Sequence, residues 1–127
     1  MHNFMKSVCA HLRISGLKTV TTNLQIVKGI DKMPAAYCQL QQLSHNGVSG
    51  EMAEANALLT IQLHSHYKGI REVLTLVQSV ADSLEDRSLS CEGGYADFTA
   101  IKKDITQEKA GAYVGTLTFK VWMRGML

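Results

Sequence analysis

The strongest constraint on the fold is a residue-by-residue alternation of apolar and polar side chains in two separate stretches. From Ala55 to Tyr67, Leu59, Ile61, Leu63 and Tyr67 fall on one side, and Thr60, Gln62, His64 and His66 on the other. From Tyr113 to Arg124, Tyr113, Leu117, Phe119, Val121 and Met123 oppose Thr116, Thr118, Lys120, Trp122 and Arg124. Period-two patterning of this length specifies strands with one face in a core and one face outside it. Between them the period changes. Ile70, Val73, Leu74, Val77, Val80, Ala81 and Leu84 follow helical spacing, with Arg71, Glu72, Gln78, Asp82 and Glu85 opposite, and predict a helix over about Lys68–Leu84.

The remaining segments extend this pattern. Phe4, Val8, Cys9 and Leu12 predict a first helix from Asn3 to a stop near Ser15-Gly16. Residues Leu17–Met33 fit neither period; the run Thr19-Val20-Thr21-Thr22 and Gly29 favour irregular chain or a short strand. Pro34 opens a strand in which Ala36, Cys38 and Leu40 alternate with Tyr37, Gln39 and Gln41. Asn46-Gly47 is a strong hairpin signal, and the expectation is a flexible hairpin loop over about 44–55. Glu85–Gly94 reads as a polar linker. Phe98 and Ile101 share no strict alternation, which a bulge would reconcile.

The resulting expectation is one α+β domain over 1–127, in the order α-β-β-α-β-β: a single antiparallel or mixed β-sheet with two helices packed on one face. The 127 residues suffice for a core without staples. Thirteen Lys and Arg against eleven Asp and Glu leave a net charge of +2, which does not mark an electrostatic nucleic-acid binder. Cys9, Cys38 and Cys91 are widely spaced and odd in number, so a disulfide framework is not expected. The N-terminal stretch interleaves Lys6, His11 and Arg13 with apolar residues and does not read as a signal peptide; no long apolar run predicts a membrane span.

Several constellations invite chemistry, and each has a plainer explanation. His64 and His66 point the same way and could supply two metal ligands, but no third is evident and strand histidines are more often solvated or interfacial. Cys91 could be a nucleophile beside a histidine; an incidental loop thiol explains it as well. Gly93-Gly94 reads as a turn, and Lys102, Lys103 and Lys109 are balanced by Asp104 and Glu108. Trp122 between Lys120 and Arg124 could stack a base or a peptide, although no aromatic-rich RNA-binding segment accompanies it. No catalytic residue, metal site or cofactor is assigned.

The strand opened by Pro34, the alternating Leu59-Ile61-Leu63-His64 before a helix, and the closing Leu117-Phe119-Val121 together resemble the small tail-terminator, or tail-completion, proteins of long-tailed bacteriophages and prophages. The resemblance runs over most of the chain from Pro34 onward and rests on fold-type positions. It implies a non-enzymatic virion-tail protein, made and assembled in the bacterial host cytoplasm. Such proteins form a hexameric ring that caps the tail tube, ends its polymerisation and joins tail to head. The implied partners are other copies of the chain, the tail-tube protein and a head-completion protein. DNA would pass through the ring without sequence-specific binding, and no membrane is involved. Tyr37, Gln39, Asn46, Gly47, His64, His66, Lys120, Trp122 and Arg124 are the expected interface residues. The competing expectations are a nucleic-acid- or peptide-binding module using the polar and aromatic sheet face, and a metal-dependent enzyme using His64 and His66.

Overall fold

A computed structural model describes residues 2–12, 17, 19–22, 34–49, 52–65, 70–85, 88–91, 94–108 and 113–124. Its elements are α1 (His2–Leu12), β1 (Thr19–Thr21), β2 (Ala35–Ser49), β3 (Met52–His64), α2 (Arg71–Leu84), β4 (Ser88–Cys91), β5 (Gly94–Gln107) and β6 (Tyr113–Arg124). The strands form one six-stranded sheet in the order β1-β2-β3-β6-β5-β4, with β1 parallel to β2 and every other pair antiparallel.

The expected simple sheet with two helices packed on one face is incorrect. Among the described residues strand predominates, and they form a six-stranded mixed half-barrel with two helices. Strand length explains the curl: β2, β3, β5 and β6 have 15, 13, 14 and 12 residues, and long antiparallel strands accumulate twist until the sheet coils. The helices therefore occupy different places. α2 packs on β6, β5 and β3, the middle of the sheet, whereas α1 touches β1 and β2 at one edge and β4 at the other. α1 thus bridges the two margins of the half-barrel, and His11 Nε2 lies 2.9 Å from the Ser83 carbonyl oxygen of α2.

Two strands add to the expected order. β1 takes the ambiguous Thr19–Thr21 run and docks on the start of β2, where the Thr19 N–H donates to the Pro34 carbonyl at 3.3 Å. β4 occupies the segment expected to be a linker and pairs with the start of β5. The expected bulge is present: β5 shifts register between Ala100 and Lys102, leaving Ile101 unpaired and 55% exposed. Asn46-Gly47 does not form the hairpin tip. β2 runs through it to the pair Ser49↔Met52, and a register irregularity between Asn46 and Ser49 accommodates the extra residue.

Alternation places Cys38, Ala57, Leu59, Ile61, Leu63, Ala96, Phe98, Leu117, Phe119, Val121 and Met123 in one core with Val8 and Leu12 of α1 and the buried stripe of α2. That stripe is rotated from the expected one. Val73, Leu76, Val77, Val80, Ala81 and Leu84 are buried, while Ile70 and Leu74 are 41% and 49% exposed. Val73 and Val77 sit directly against Gly115 of β6, so Leu74, one residue and about 100° further round the helix, faces outward. Ser65, buried at the end of β3, donates to Glu72 in the first turn of α2, and Lys103 Nζ of β5 meets Glu85 Oε2 at its C-terminal end at 3.5 Å.

Cys38 is 1% exposed. Its hydrogen bond with Cys9 of α1, and then burial, push the thiol pKa far above the ordinary range. It is therefore protonated and unreactive in the folded protein. Iodoacetamide at mildly alkaline pH is expected to modify Cys38 no faster than the protein unfolds; rapid native-state labelling, read by peptide mass mapping, would contradict this packing.

Candidate functional site

The outer face of the sheet carries most of the residues expected at an interface. Strand register arranges them in rows, because partners across antiparallel strands share a face. One row runs Tyr37, Gln62, Thr116, Asp104; the next runs Gln39, Thr60, Thr118, Lys102. Further along lie Gln41, Leu58, Lys120, Thr99, and then Asn56, Trp122, Asp97. The last aligns Asn46 with Glu54, Arg124 and Tyr95. Gln39 and Lys120 are exposed, Tyr37 is half-buried, and Trp122 is 39% exposed. Gly47 lies in β2 beside Asn46. His66 lies outside the described residues.

Lys120, Trp122 and Arg124 gather at one end of this face, with Asn46 level with them. The Arg124 guanidinium carbon stands 4.1 Å from the centroid of Trp122 and 4.6 Å from that of Tyr95. Its Nη2 also lies 3.4 Å from Asp97 Oδ2, and Ser88 donates to the other carboxylate oxygen. A planar guanidinium can stack on rings and pair with a carboxylate at once, which an ammonium cannot. This arrangement fixes the Trp122 ring and covers one of its faces.

Sequence reading missed Tyr95 and Asp97. Their signal was present: Tyr95, Asp97 and Thr99 alternate with buried Ala96 and Phe98 and half-buried Ala100. The pairing of β5 with β6 is regular up to Ala100, and the irregularity is confined to Ile101.

His64 is at the opposite end and apart from this cluster. It shares a row with Ala35 and Val114, which are 0% and 8% exposed, and its own side chain is 13% exposed. Nε2 lies 3.3 Å from Gln62 Oε1, and Nδ1 lies 4.0 Å from Glu108 Oε1. Burial lowers its pKa from the ordinary 6.5, and Glu108 opposes that shift. Among the described residues, no group of three or more His, Cys, Asp or Glu is placed to hold a metal ion. No helix among them is long and apolar enough to cross a membrane.

The lowered pKa has a defined pH signature. The unfolded chain takes up a proton near pH 6.5 before folded His64 does, so acidification favours unfolding. The contribution is fully present above pH 6.5 and is lost as pH falls from there through the lower folded-state pKa. A His64→Gln variant should show a flatter stability profile between about pH 7 and about pH 5, read from urea midpoints. An unchanged slope would contradict the assignment.

No family model matches the chain, and no curated protein matches it by sequence. Its fold is similar to that of a chain in a solved structure of the virion of a native gene transfer agent particle. The two are 17% identical with a TM-score of 0.71, and the match covers 98% of this chain and 96% of that one.

Proposed function

We propose that this protein is a structural component of a phage-like virion, acting as an oligomeric ring that caps the tail tube, ends its polymerisation and joins tail to head. The observation that carries this reading is the fold likeness to a virion chain, which extends over 98% of this chain and 96% of that one. The tail-terminator pattern at Pro34, Leu59-Ile61-Leu63-His64 and Leu117-Phe119-Val121 supplies the more specific role. The outer face supports it too. Its polar side chains and pinned Trp122 suit a protein interface, whose rim is polar and whose anchors are aromatic and arginine residues. In this reading the protein performs no catalysis, and DNA passes the ring without sequence-specific contacts.

The test is polymerisation of the tail-tube protein encoded in the same genome, with and without this protein, followed by electron microscopy. Tubes that stop growing and carry this protein as a ring at one end are expected. Tubes of unaltered length with none of the protein at their ends would overturn the role.

A further inference from the structure

The two margins of the half-barrel are both incompletely paired. β1 covers β2 only at Ala35–Tyr37, so among the described residues no strand pairs with the outer edge of β2 from Cys38 to Ser49. β4 covers β5 only at Gly94–Asp97, so the outer edge of β5 from Thr99 to Thr106 likewise pairs with no strand among them. Exposed backbone donors and acceptors along a strand are a template for another strand, which isolated proteins normally block with charge, bulges or cover. Both edges are interrupted, β2 by register shifts between Gln42 and Ser44 and between Asn46 and Ser49, so they differ in charge rather than in bulges. β5 has a bulge at Ile101 followed by Lys102, Lys103 and Asp104, whereas β2 contains no Asp, Glu, Lys or Arg from Ala35 to Ser49.

We infer that β2 of one copy receives β5 of the next, so that the sheet continues from subunit to subunit. Resting on the virion reading, this specifies how its ring would be joined. Direction fits. β2 opposes β3, β3 opposes β6 and β6 opposes β5, so β2 and β5 run oppositely. Two copies with their sheets facing the same way would therefore meet as an antiparallel pair.

The ends fit as well. Ala35 is level with His64, Val114 and Thr106, whereas Tyr95 is level with Arg124, Glu54 and Asn46. β1 therefore blocks one end of its edge and β4 blocks the opposite end of the other. With one copy shifted along the strand direction, the free stretch of β5 fits between these stops, forming a lap joint with its stagger set by β1 and β4. Charge disfavours the self-pairing alternative, because two β5 edges would bring Lys102 and Lys103 of both copies together. Pairing unlike edges is a head-to-tail contact, the class that closes into rings. It would also cover Ile101, one of the exposed large apolar side chains.

Hydrogen exchange read by mass spectrometry over a concentration series, on the full chain and on Ile101→Lys, tests the joint. Assembly is expected to slow amide exchange about tenfold or more in both Cys38–Ser49 and Thr99–Thr106. Ile101→Lys should keep the monomer's circular dichroism and raise the concentration needed for assembly about tenfold or more. A ring in which both segments exchange as in the monomer would remove the joint while leaving the virion role intact. A chain that stays monomeric at every concentration also overturns the joint, and the tail-tube assay then decides the role separately.

Discussion

Phe119→Ala is expected to destabilise the protein by about 3–5 kcal/mol, the range for removing a fully buried aromatic side chain. Phe119 is 0% exposed at the centre of β6, between Leu59 of β3 and Ala100 of β5. Its ring meets Phe98 edge to face, with centroids 6.2 Å apart and planes at 89°. Truncation would remove the transfer free energy of the ring, leave a cavity in the core, and remove an aromatic contact worth about 0.5–1.5 kcal/mol beyond its area. The cavity should persist: small Ala100 cannot reach across, and Leu59 and Phe98 are held by their own strands. Against a total stability of about 5–15 kcal/mol, the variant would be marginal. The measurement is the urea midpoint, expected to fall with an unchanged slope, and Phe119→Leu should recover part of the loss. A loss below about 1 kcal/mol would mean that the site collapses, contrary to the packing described.

That prediction rests on residues legible in the sequence. The alternation through Leu59, Ile61 and Leu63, and through Leu117, Phe119, Val121 and Met123, assigned the buried side correctly because long strands repeat the signal several times. β1 and β4, with 3 and 4 residues, offer too few positions for any period to emerge. Their presence is decided by the edges they dock on. The same limit explains the error in architecture: curvature comes from twist summed over long paired strands, and no single segment records it. Asn46-Gly47 misled because local turn preference yielded to a pairing register that continues to Ser49↔Met52. At the candidate site, alternation sorted Lys120, Trp122 and Arg124 onto one face. Their coupling to Tyr95 and Asp97 required the β5–β6 register, a contact between distant parts of the chain.

Gly115→Ala is expected to destabilise by about 1–3 kcal/mol despite adding a single methyl group, because that group has no room. A Cβ at Gly115 would lie 2.5 Å from Val77 Cγ2 and 3.0 Å from Val73 Cγ1, with Leu63 Cβ at 3.9 Å behind it. Both valines are on α2, where a β-branched side chain has one strongly preferred rotamer, so neither can swing aside cheaply. Relief would require α2 to lift from β6, disturbing the contacts of Val80, Ala81 and Leu84 further along. Gly115→Val should be worse, since its extra methyl groups enter the same gap. Pairing the substitution with Val77→Ala separates steric conflict from a general aversion to change at this position. The double variant should be more stable than the sum of the two single losses implies, with a coupling of about 0.5–3 kcal/mol. Strict additivity would show that α2 does not rest on Gly115. The seat of that helix then could not explain why Leu76 is buried while Leu74 faces outward.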